Sequence, residues 1–478
     1  MAILEHLEPK SVFRFFEELC AYPHGSGNTK AASDWLVRFA EKRGLEHYQD
    51  ELNNVIIIKE ATPGYEDAPA VILQGHIDMV CEQAPDCTKD MTAEGLDLAV
   101  EGDTVRAIGT TLGADDGIAV AMAMAVLDAD DLSHPRVEAV FTVDEETGMY
   151  GAAALDVSPL RGKMLLNMDS EDEGVFTVSC AGGNVTRLHL NVEREAYAGT
   201  PITVTVEGLR GGHSGIEIHK GHASAVMLLG RVLRAMEKAT DLRILAVKGG
   251  LKDNAIPVMA EARLLVADEA AARAVCETMG AAFANEFSVT DPGVTLSVTA
   301  GESGAAMDAA STEKVITLLT CAPNGVQVMS ADMPGLVQTS LNLGILTTDE
   351  GTVSASFCIR SSVESQKVML VERLEALSRM LGGSLAVDGD YPGWAYLANS
   401  PLRERCVEVF KELYGREPKI EAIHAGLECG MLAGKIPGLD CLSFGPDLAE
   451  VHTFREKLYI GSTQRTWALL VEILRRMK

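Results

Sequence analysis

Two adjacent glutamates in the stretch TVDEETG, residues 142–148, are the side chains of this sequence best suited to chemistry. They follow the apolar run Val137–Val143, and neighbouring side chains of an extended segment project to opposite faces. Glu145 and Glu146 therefore cannot both be ordinary ligands of one ion, and we expect a division of labour between them. The alternative is a solvated acidic loop after a strand.

A histidine and an aspartate end another apolar run. In LQGHIDMV, His76 and Asp78 lie two positions apart, so in an extended chain both side chains project on the same side. A metal-binding imidazole usually has its second ring nitrogen held by a carboxylate or a carbonyl. The pair therefore indicates a metal-binding histidine with its orienting carboxylate, and a purely structural role for both is the alternative.

Three more segments place a histidine or a carboxylate beside an apolar run. Asp115 and Asp116 stand at the start of a predicted helix, where capping alone also favours Asp. Asp169 follows the strand-like run LLNM, and His452 lies in a loop after the last predicted strand. In an open α/β sheet, sites assemble at the carboxyl ends of the strands. Two histidines and several carboxylates, without cysteine, suit two divalent ions that share a bridging carboxylate.

The elements that must position these residues alternate between strands and helices up to about residue 183. Short apolar runs such as PAVILQGH, VEAVFTVD and KMLLNMDS alternate with segments of helical spacing, and DDGIAVAMAMAVLDA is a helix between two of the runs. CLSFGPD, residues 441–447, is one more such strand. This pattern predicts an α/β fold with a mostly parallel sheet and helices on both faces.

Residues 185–397 follow a different pattern of two successive strand–helix–strand units. We predict an inserted α+β domain there, with junctions near Gly182–Gly183 and Gly393. The first domain is then discontinuous and consists of residues 1–184 and 398–478. Two domains also suit the length of 478 residues, because single cores stop growing near about 250–300 residues.

Composition excludes several classes of protein. The chain has 69 acidic against 41 basic residues and a net charge of −28, which repels nucleic acid and anionic membranes. No apolar stretch approaches the roughly 18 residues of a membrane span, and the N-terminus does not resemble a signal peptide. The ten cysteines form no CxxC pair, which predicts reduced and mostly buried thiols. We therefore expect a cytoplasmic protein.

The motifs, in their order along the chain, resemble the cocatalytic di-zinc metallopeptidases of the carnosinase and aminoacylase family. The resemblance covers essentially the whole chain and rests on GHIDMV, TLGADDG, VDEETG, NMDSED, GGHSG, NAIP and VHTF. HAGLECG and the length of the insertion favour its dipeptidase branch. The resemblance implies two Zn²⁺ per subunit, replaceable by Co²⁺ or Mn²⁺, and a homodimer. It also implies hydrolysis of Xaa-His dipeptides with broad tolerance, in a catalytic domain with an inserted lid or dimerisation domain.

The resemblance also implies a role for each residue of the site. His76 and Asp169 bind one zinc, Glu146 and His452 bind the other, and Asp115 bridges the two. Asp78 orients His76, and Glu145 is the general base. The peptide bond between Asp115 and Asp116 is expected to be cis.

Five further residues are candidates for substrate binding. The resemblance implies that His213 of GGHSG contacts the substrate carbonyl. Arg360 is our candidate for the C-terminal carboxylate, because a guanidinium binds a carboxylate bidentately, and a surface ion pair at a strand edge is the alternative. In HAGLECG, Glu428 could hold a free α-amino group and His424 could line the specificity pocket. Asn254 is a candidate for an amide contact from the inserted domain.

Other functions fit the same motifs. A tripeptidase, a carboxypeptidase or an N-acyl amino acid deacylase could use the same scaffold. A non-catalytic protein that binds metal or peptide is the alternative from a different class. Glu145 argues against the binder, because a binding protein has no need of a base beside a ligand.

Overall fold

The computed structural model describes residues 3–478, which form two compact units. The first unit consists of the chain up to Cys180 together with Tyr396–Ala422 and Leu427–Lys478. The second unit consists of Ala181–Ala395 and also includes the short segment Ile423–Gly426, which the sequence places in the first domain.

The helices of the described range are amphipathic or, in one case, buried on all sides. The buried one is α3, whose residues from Gly117 to Leu127 are all buried, as expected of the run IAVAMAMAVL. A short 3₁₀ helix spans Ile218–Lys220. The α-helices are α1 (Lys10–Cys20), α2 (Lys30–Arg43), α3 (Ala114–Asp128), α4 (Tyr150–Ala154), α5 (Ala225–Glu237), α6 (Glu269–Glu286), α7 (Ala309–Cys321), α8 (Glu364–Met380), α9 (Pro401–Tyr414), α10 (Glu428–Lys435) and α11 (Ile460–Arg475).

The strands of the described range belong to four sheets. They are β1 (Glu46–Gln49), β2 (Val55–Lys59), β3 (Val71–His76), β4 (Leu98–Glu101), β5 (Thr104–Ala107), β6 (Val137–Thr142), β7 (Met164–Asn167), β8 (Val175–Cys180), β9 (Gly182–Asn191), β10 (Arg194–Glu195), β11 (Thr200–Glu207), β12 (Leu242–Gly249), β13 (Ala260–Val266), β14 (Thr295–Ala300), β15 (Ala306–Met307), β16 (Gly325–Met329), β17 (Val337–Thr348), β18 (Thr352–Ser361), β19 (Ser384–Tyr391), β20 (Lys419–Ile423), β21 (Asp440–Ser443), β22 (Leu448–Ala449) and β23 (Lys457–Tyr459).

The main sheet of the first unit has eight strands in the order β1-β2-β6-β3-β7-β21-β8-β20. Its four central strands, β6, β3, β7 and β21, are parallel to one another. Every residue of β3, β6 and β21 is buried, so both faces of the sheet are covered. The predicted α/β class is confirmed. Towards the edges the sheet becomes antiparallel, because β1 and β2 form a hairpin and β8 runs against β21.

Helix α3 lies against this sheet and against α1 through very small side chains. A Cβ on Gly117 would lie 3.1 Å from Leu19 and 3.3 Å from Phe16, so the absence of a side chain allows α1 to approach closely. Leu19 and Phe16 are themselves fully buried. The packing fixes the start of α3, which carries Asp115 and Asp116.

A small four-stranded sheet in the order β22-β23-β5-β4 completes the first unit. Strands β22 and β23 are antiparallel neighbours, and the segment that connects them contains His452. Strand β23 also pairs with β5. The predicted loop after the last strand is therefore the turn of a short hairpin, which the two-residue and three-residue strands were too short to reveal in the sequence.

The second unit contains a nine-stranded antiparallel sheet in the order β14-β11-β13-β12-β17-β18-β9-β19, with β16 paired to β17. Alternate residues of β9, β11 and β13 are buried, as expected of a sheet with one face in the core. Helices α5, α6, α7 and α8 contribute apolar side chains to the same core. The helix predicted over residues 221–239 is α5.

The cysteines are free thiols, and seven of the ten are buried. This confirms the prediction of reduced and mostly buried thiols. Within residues 3–478, no helix is both long enough and apolar enough to cross a membrane.

Candidate metal centre

The predicted metal ligands of the first unit lie at one edge of its main sheet. His76 is the last residue of β3, Glu145 and Glu146 follow β6, and Asp169 follows β7. These three strands are adjacent and parallel, so their carboxyl ends meet at the same edge. The expectation that the candidate ligands lie beyond the ends of apolar strands is therefore confirmed for these positions.

His76 presents one ring nitrogen to the carboxylates. Its Nδ1 donates to the backbone carbonyl of Asp78 at 3.0 Å, which leaves the lone pair of Nε2 free to bind an ion. Nε2 lies 3.3 Å from Oδ1 of Asp115 and 3.8 Å from Oδ1 of Asp169. The carboxylate of Asp78 also lies 3.4 Å from Nδ1. Asp78 therefore orients His76, as predicted, but the hydrogen bond is accepted by its backbone carbonyl and the carboxylate lies slightly farther away.

His452 faces the other oxygen of Asp115. Its Nε2 lies 3.2 Å from Oδ2 of Asp115 and 2.8 Å from Oε1 of Glu146. Asp115 therefore directs one carboxylate oxygen toward each histidine, which is the geometry required of a bridging carboxylate. Three groups of potential ligands have their donor atoms within 4.8 Å of one another: His76, Asp116 and Asp169; His76, Glu145 and Glu146; and Asp115, Glu146 and His452.

The Asp115–Asp116 peptide bond is cis, as predicted. Neither aspartate caps the helix, since the N-cap of α3 is Gly113 and no side chain accepts a capping bond. The carboxylate of Asp116 is buried instead and accepts the backbone N–H of His76 at 3.2 Å. A Cβ on Gly75 would lie 2.6 Å from that carboxylate, so only glycine fits before His76.

The glutamate pair lies in a turn, which corrects the assumption of an extended segment. The carbonyl of Glu145 accepts the N–H groups of Gly148 and Met149, each at 2.9 Å. The backbone N–H of Glu145 donates to Oδ1 of Asp78 at 3.1 Å. The two glutamates nevertheless differ in their surroundings, because only Glu146 hydrogen-bonds to His452.

The site has an excess of negative charge. In the described range, all ion pairs of Asp78, Asp115, Glu146 and Asp169 involve a histidine. Burial and the neighbouring charge of Asp116 raise the pKa of Asp169 well above its usual value. The carboxylates of Asp115 and Glu146, which accept hydrogen bonds from the His452 ring, raise the pKa of His452 to about 10. Both groups therefore hold a proton more strongly than usual, which indicates that positive charge is favoured at this site.

Nitrogen and carboxylate oxygen donors around a shared carboxylate fit two divalent ions such as Zn²⁺. Cations near these groups would offset the repulsion among the carboxylates. The donor atoms of these side chains therefore fit a centre of two cations. His76 and Asp169 lie on one side of Asp115, and Glu146 and His452 lie on the other.

Two positioning contacts were not visible in the sequence. The hydroxyl of Ser26 donates to Oδ2 of Asp78 at 2.7 Å, and the N–H of Gly27 donates to Asp144 at 2.6 Å. The segment PHGSG thus holds the carboxylate that contacts both His76 and Glu145. Further along the chain, Glu456 accepts backbone N–H groups from residues 112–115, which we call the Asp115 turn. Neither the spacing nor the residue types of these segments signalled the contacts.

Glu428 lies in a buried polar network of the first unit. Its Oε2 accepts from Nε2 of Gln74 at 2.5 Å and from the hydroxyl of Thr142 at 2.6 Å. Gln74 in turn accepts from the amide of Asn167 at 2.7 Å. Burial and the nearby Glu145 raise the pKa of Glu428 to about 8. Glu428 has no exposed surface, and its Oε1 lacks a hydrogen-bond partner among the described residues.

The second unit brings His213, His424 and Arg360 together around one glycine. A Cβ on Gly215 would lie 2.4 Å from the carbonyl oxygen of His424, 3.0 Å from Cε1 of His213 and 3.1 Å from Nε of Arg360. His424 belongs to this unit through the segment Ile423–Gly426, and its Nε2 lies 2.7 Å from the hydroxyl of Ser340. Three of the predicted substrate-binding residues therefore form one cluster.

The two histidines of this cluster are neutral. Nδ1 of His213 accepts the N–H groups of Gly215 and Ile216, each at 3.2 Å, so the ring proton is on Nε2. Burial and the charge of Arg360 lower the pKa of His213. The same two causes lower the pKa of His424 to about 3. His213 is thus a neutral hydrogen-bond donor through Nε2.

Arg360 is a buried cation that forms no ion pair with the residues that the structure describes. It is 8% exposed, and its Nη1 contacts the hydroxyl of Tyr391 at 3.3 Å. Within residues 3–478 it has no ion-pair partner by the 4.0 Å criterion, and its Nε has no hydrogen-bond partner. Strand β18 lies between β17 and β9, so the alternative of a surface ion pair at a strand edge is wrong.

Asn254 lies next to the GGHSG segment and is exposed. The backbone carbonyl of Asn254 accepts the N–H of Ser214 at 2.8 Å, which joins the NAIP segment to the GGHSG segment. Asn342 holds the NAIP segment from the other side, because its amide donates to Asp253 and Ala255 at 3.0 and 2.8 Å. The backbone of Asn254 thus supports the position of His213.

Comparison with known proteins shows that the chain is similar to dipeptidases and related peptidases. The chain is 36% identical to the cytosol non-specific dipeptidase of Escherichia coli over 482 residues, which covers 100% of this chain and 99% of the relative. The structure of aminoacylhistidine dipeptidase from Vibrio alginolyticus matches with a TM-score of 0.94 at 34% identity, over 98% of this chain and 97% of that one. A tripeptidase from Staphylococcus aureus shares the fold, with a TM-score of 0.56 at 16% identity, over 98% and 99%.

An α/β sheet that presents two histidine–carboxylate groups around a shared aspartate is typical of metal-dependent hydrolases. Residues 72–476 match the sequence profile of peptidase family M20/M25/M40. The chain belongs to this family, which confirms the resemblance predicted from its motifs.

Proposed function

We propose that this protein is a dipeptidase that requires two divalent ions and acts on Xaa-His and related dipeptides. The observation that carries the proposal is the placement of Asp115, whose two oxygens lie 3.3 Å from His76 and 3.2 Å from His452. The names of the two full-length relatives, a non-specific dipeptidase and an aminoacylhistidine dipeptidase, support the substrate class.

We assign His76 and Asp169 to one cation and Glu146 and His452 to the other, with Asp115 shared. Zn²⁺ is the proposed metal, and Co²⁺ or Mn²⁺ are possible replacements for the same donors. When bound, two such ions make a water molecule acidic enough to supply hydroxide near neutral pH and polarise the carbonyl group. Asp78 keeps His76 in the tautomer that binds through Nε2.

Glu145 is proposed as the general base. Burial raises its pKa to about 7, and the charges of Glu146 and Asp115 add to the effect. A pKa near the working pH suits a group that must both accept and release a proton. Glu145 would accept the proton of the attacking water on a carboxylate oxygen and pass it to the nitrogen of the leaving amine. Nearby cations would lower this pKa and keep the base ionised at lower pH.

The cluster of the second unit is proposed to bind substrate. Arg360 would bind the C-terminal carboxylate, because it is a buried guanidinium with no anionic partner among residues 3–478. The Nε2–H of His213 would donate to the carbonyl oxygen as negative charge develops there. His424 would line the specificity pocket, and Asn254 would contribute an amide contact. The predicted contact of Glu428 with the α-amino group requires Oε1 to become accessible, since the residue has no exposed surface.

The second unit is proposed as the lid or dimerisation domain of the family, in a cytoplasmic homodimer. Strand β18 supplies Arg360, and the GGHSG segment supplies His213. These assignments are based on the family resemblance, and with them we expect the substrate to be a peptide.

Metal analysis combined with a substrate panel tests the proposal. Protein purified without chelator should contain two divalent ions per chain and hydrolyse Xaa-His dipeptides faster than tripeptides, C-terminally extended peptides or N-acyl amino acids. Removal of metal with a chelator should abolish activity, and added Zn²⁺ should restore it. A preference for tripeptides or acyl amino acids would identify one of the other activities of the scaffold. Tight peptide binding without turnover would identify a binding protein.

A further inference from the structure

Glu456 is a buried carboxylate that receives four backbone N–H groups from one turn. It is 2% exposed, and its Oε2 accepts from Leu112 and Gly113 at 2.9 and 3.0 Å. Its Oε1 accepts from Ala114 and Asp115 at 2.8 and 3.3 Å. In the described range Glu456 has no ion-pair partner by the 4.0 Å criterion, so these backbone groups are its main counter-charge.

The turn that surrounds Glu456 is built to bind an anion. Successive N–H groups converge where Gly113 adopts a φ of +67°, a left-handed conformation that favours glycine. A Cβ on Gly113 would also lie 2.7 Å from Sδ of Met79. Four converging donors match the two oxygens of a carboxylate, whereas an amide offers one oxygen and turns an NH₂ group toward the other two donors.

Glu456 joins the two segments that carry Asp115 and His452. It follows His452 by four positions on the segment that leads into β23. His452 has a φ of +61° and Glu450 a φ of +52°, and non-glycine residues hold such conformations only where surrounding contacts enforce them. The contact of Glu456 with the Asp115 turn therefore fixes the loop relative to the shared aspartate.

His76 and Asp169, on the other side of Asp115, lie outside the loop that Glu456 holds. His76 is the last residue of β3, and Asp169 comes directly after β7, two central strands of the main sheet. The backbone of His76 is held by Asp116, and its ring is held by Asp78. We therefore expect loss of Glu456 to displace His452 relative to Asp115 and to leave His76 and Asp169 in place.

We propose that Glu456 is a positioning residue that sets the placement of His452 relative to Asp115, and so controls the affinity of the cation position formed by Asp115, Glu146 and His452. The inference rests on the proposed two-metal function. It adds a residue that touches neither substrate nor cation and that acts only through the backbone of the Asp115 turn.

Competitive Zn²⁺ titration of metal-free protein against a chromophoric chelator measures both affinities. The native chain should bind two ions. In Glu456→Gln, we expect the affinity of one position to fall by about 10–100-fold, the usual effect of removing a residue that orients metal ligands. The affinity of the other position should change by less than about threefold. Excess Zn²⁺ should restore two ions per chain to the variant.

Glu138→Gln is the matched control. Glu138 is also a fully buried carboxylate of the first unit that accepts backbone N–H groups, those of Arg161 and Gly162, but it contacts no ligand. We expect Glu138→Gln to lower the unfolding temperature and leave both Zn²⁺ affinities as in the native chain. If Glu456→Gln does not fold, Glu456→Asp supplies a shorter carboxylate for the same titration.

A His452→Ala background identifies the position that is weakened. His452→Ala should retain only the His76 side, and adding Glu456→Gln to it should leave the remaining affinity unchanged. Equal weakening of both positions, or no weakening in Glu456→Gln while the native chain binds two ions, would overturn this inference alone. A native chain that never binds a second ion would overturn the two-metal proposal and this inference together.

Discussion

Replacement of Glu145 by glutamine separates proton transfer from metal binding. The backbone of Glu145 is held by the carboxylate of Asp78 at 3.1 Å, and this contact does not involve the Glu145 side chain. Glutamine has the same length and can still hydrogen-bond a water molecule, but it cannot accept a proton. We therefore expect Glu145→Gln to bind both divalent ions and substrate normally and to fail in catalysis.

The expected loss is a factor of about 10²–10⁴ in kcat, the usual contribution of a general base. At 1.36 kcal/mol per tenfold, this corresponds to about 2.7–5.4 kcal/mol of transition-state stabilisation. KM should change little, because Glu145 is not assigned a contact with the ground-state substrate. Steady-state kinetics on one Xaa-His dipeptide, with elemental analysis of the same sample, measures both quantities.

Glu146→Gln is the matched control at the next position. Oε1 of Glu146 lies 2.8 Å from Nε2 of His452, so this substitution removes the charge of a proposed ligand of the second cation. We expect about one ion per chain and an activity that excess metal partly restores. A crossed result, in which Glu145→Gln loses metal while Glu146→Gln keeps both ions, would show that the two neighbours have the opposite roles.

Three further substitutions test other parts of the structure. Arg360→Lys cannot bind a carboxylate bidentately and should raise KM for dipeptides by tenfold or more in steady-state kinetics. KM for C-terminal amides should not rise in this way. An equal KM for dipeptides in the native chain and in Arg360→Lys would contradict carboxylate binding. Gly75→Ala places a Cβ 2.6 Å from Asp116 and should lower the free energy of unfolding by about 1–3 kcal/mol in urea, whereas Gly351→Ala, with open space around it, should not. The pKa of Glu428 in the folded chain is about 8, above its ordinary value of 4.5. Between these pH values the folded chain holds a proton on Glu428 that the unfolded chain releases. The free energy of unfolding should therefore fall as pH rises from about 4.5 to about 8. Glu428→Gln should flatten this part of the unfolding temperature against pH, and an unchanged profile would contradict the shift.

The strands of the main sheet and most of the candidate metal ligands could be predicted because local patterns in the sequence mark them. Strands β3, β6 and β7 are nearly continuous apolar runs that end in polar residues, and parallel strands place those ends together. The direction of the edge strands is not visible in such runs. It depends on the connections, as in the hairpin of β1 and β2, where Asp50 accepts the backbone N–H groups of Leu52 and Asn54.

Contacts between distant segments could not be predicted in the same way. Glu456 binds four N–H groups that lie more than 340 positions away along the chain, and no sequence pattern marks a buried acceptor of backbone hydrogen bonds. The grouping of His213, Arg360 and His424 likewise depends on the order of strands in the second unit. Arg360 was open to a strand-edge interpretation for the same reason, because the neighbours of β18 are set by the fold of the whole unit.

The two sides of the metal centre differ in how firmly the fold holds them. His76 ends a buried strand and has 2% of its side chain exposed, whereas the side chain of His452 is 48% exposed. The loop of His452 contains two residues of positive φ, and the Glu145–Glu146 turn follows Asp144, which has a φ of +55°. Backbone conformations of this kind persist only when neighbouring contacts maintain them. Asp115 therefore lies between proposed ligands at the ends of buried strands and proposed ligands on loops. The contact of Glu456 with the Asp115 turn fixes the His452 loop relative to Asp115.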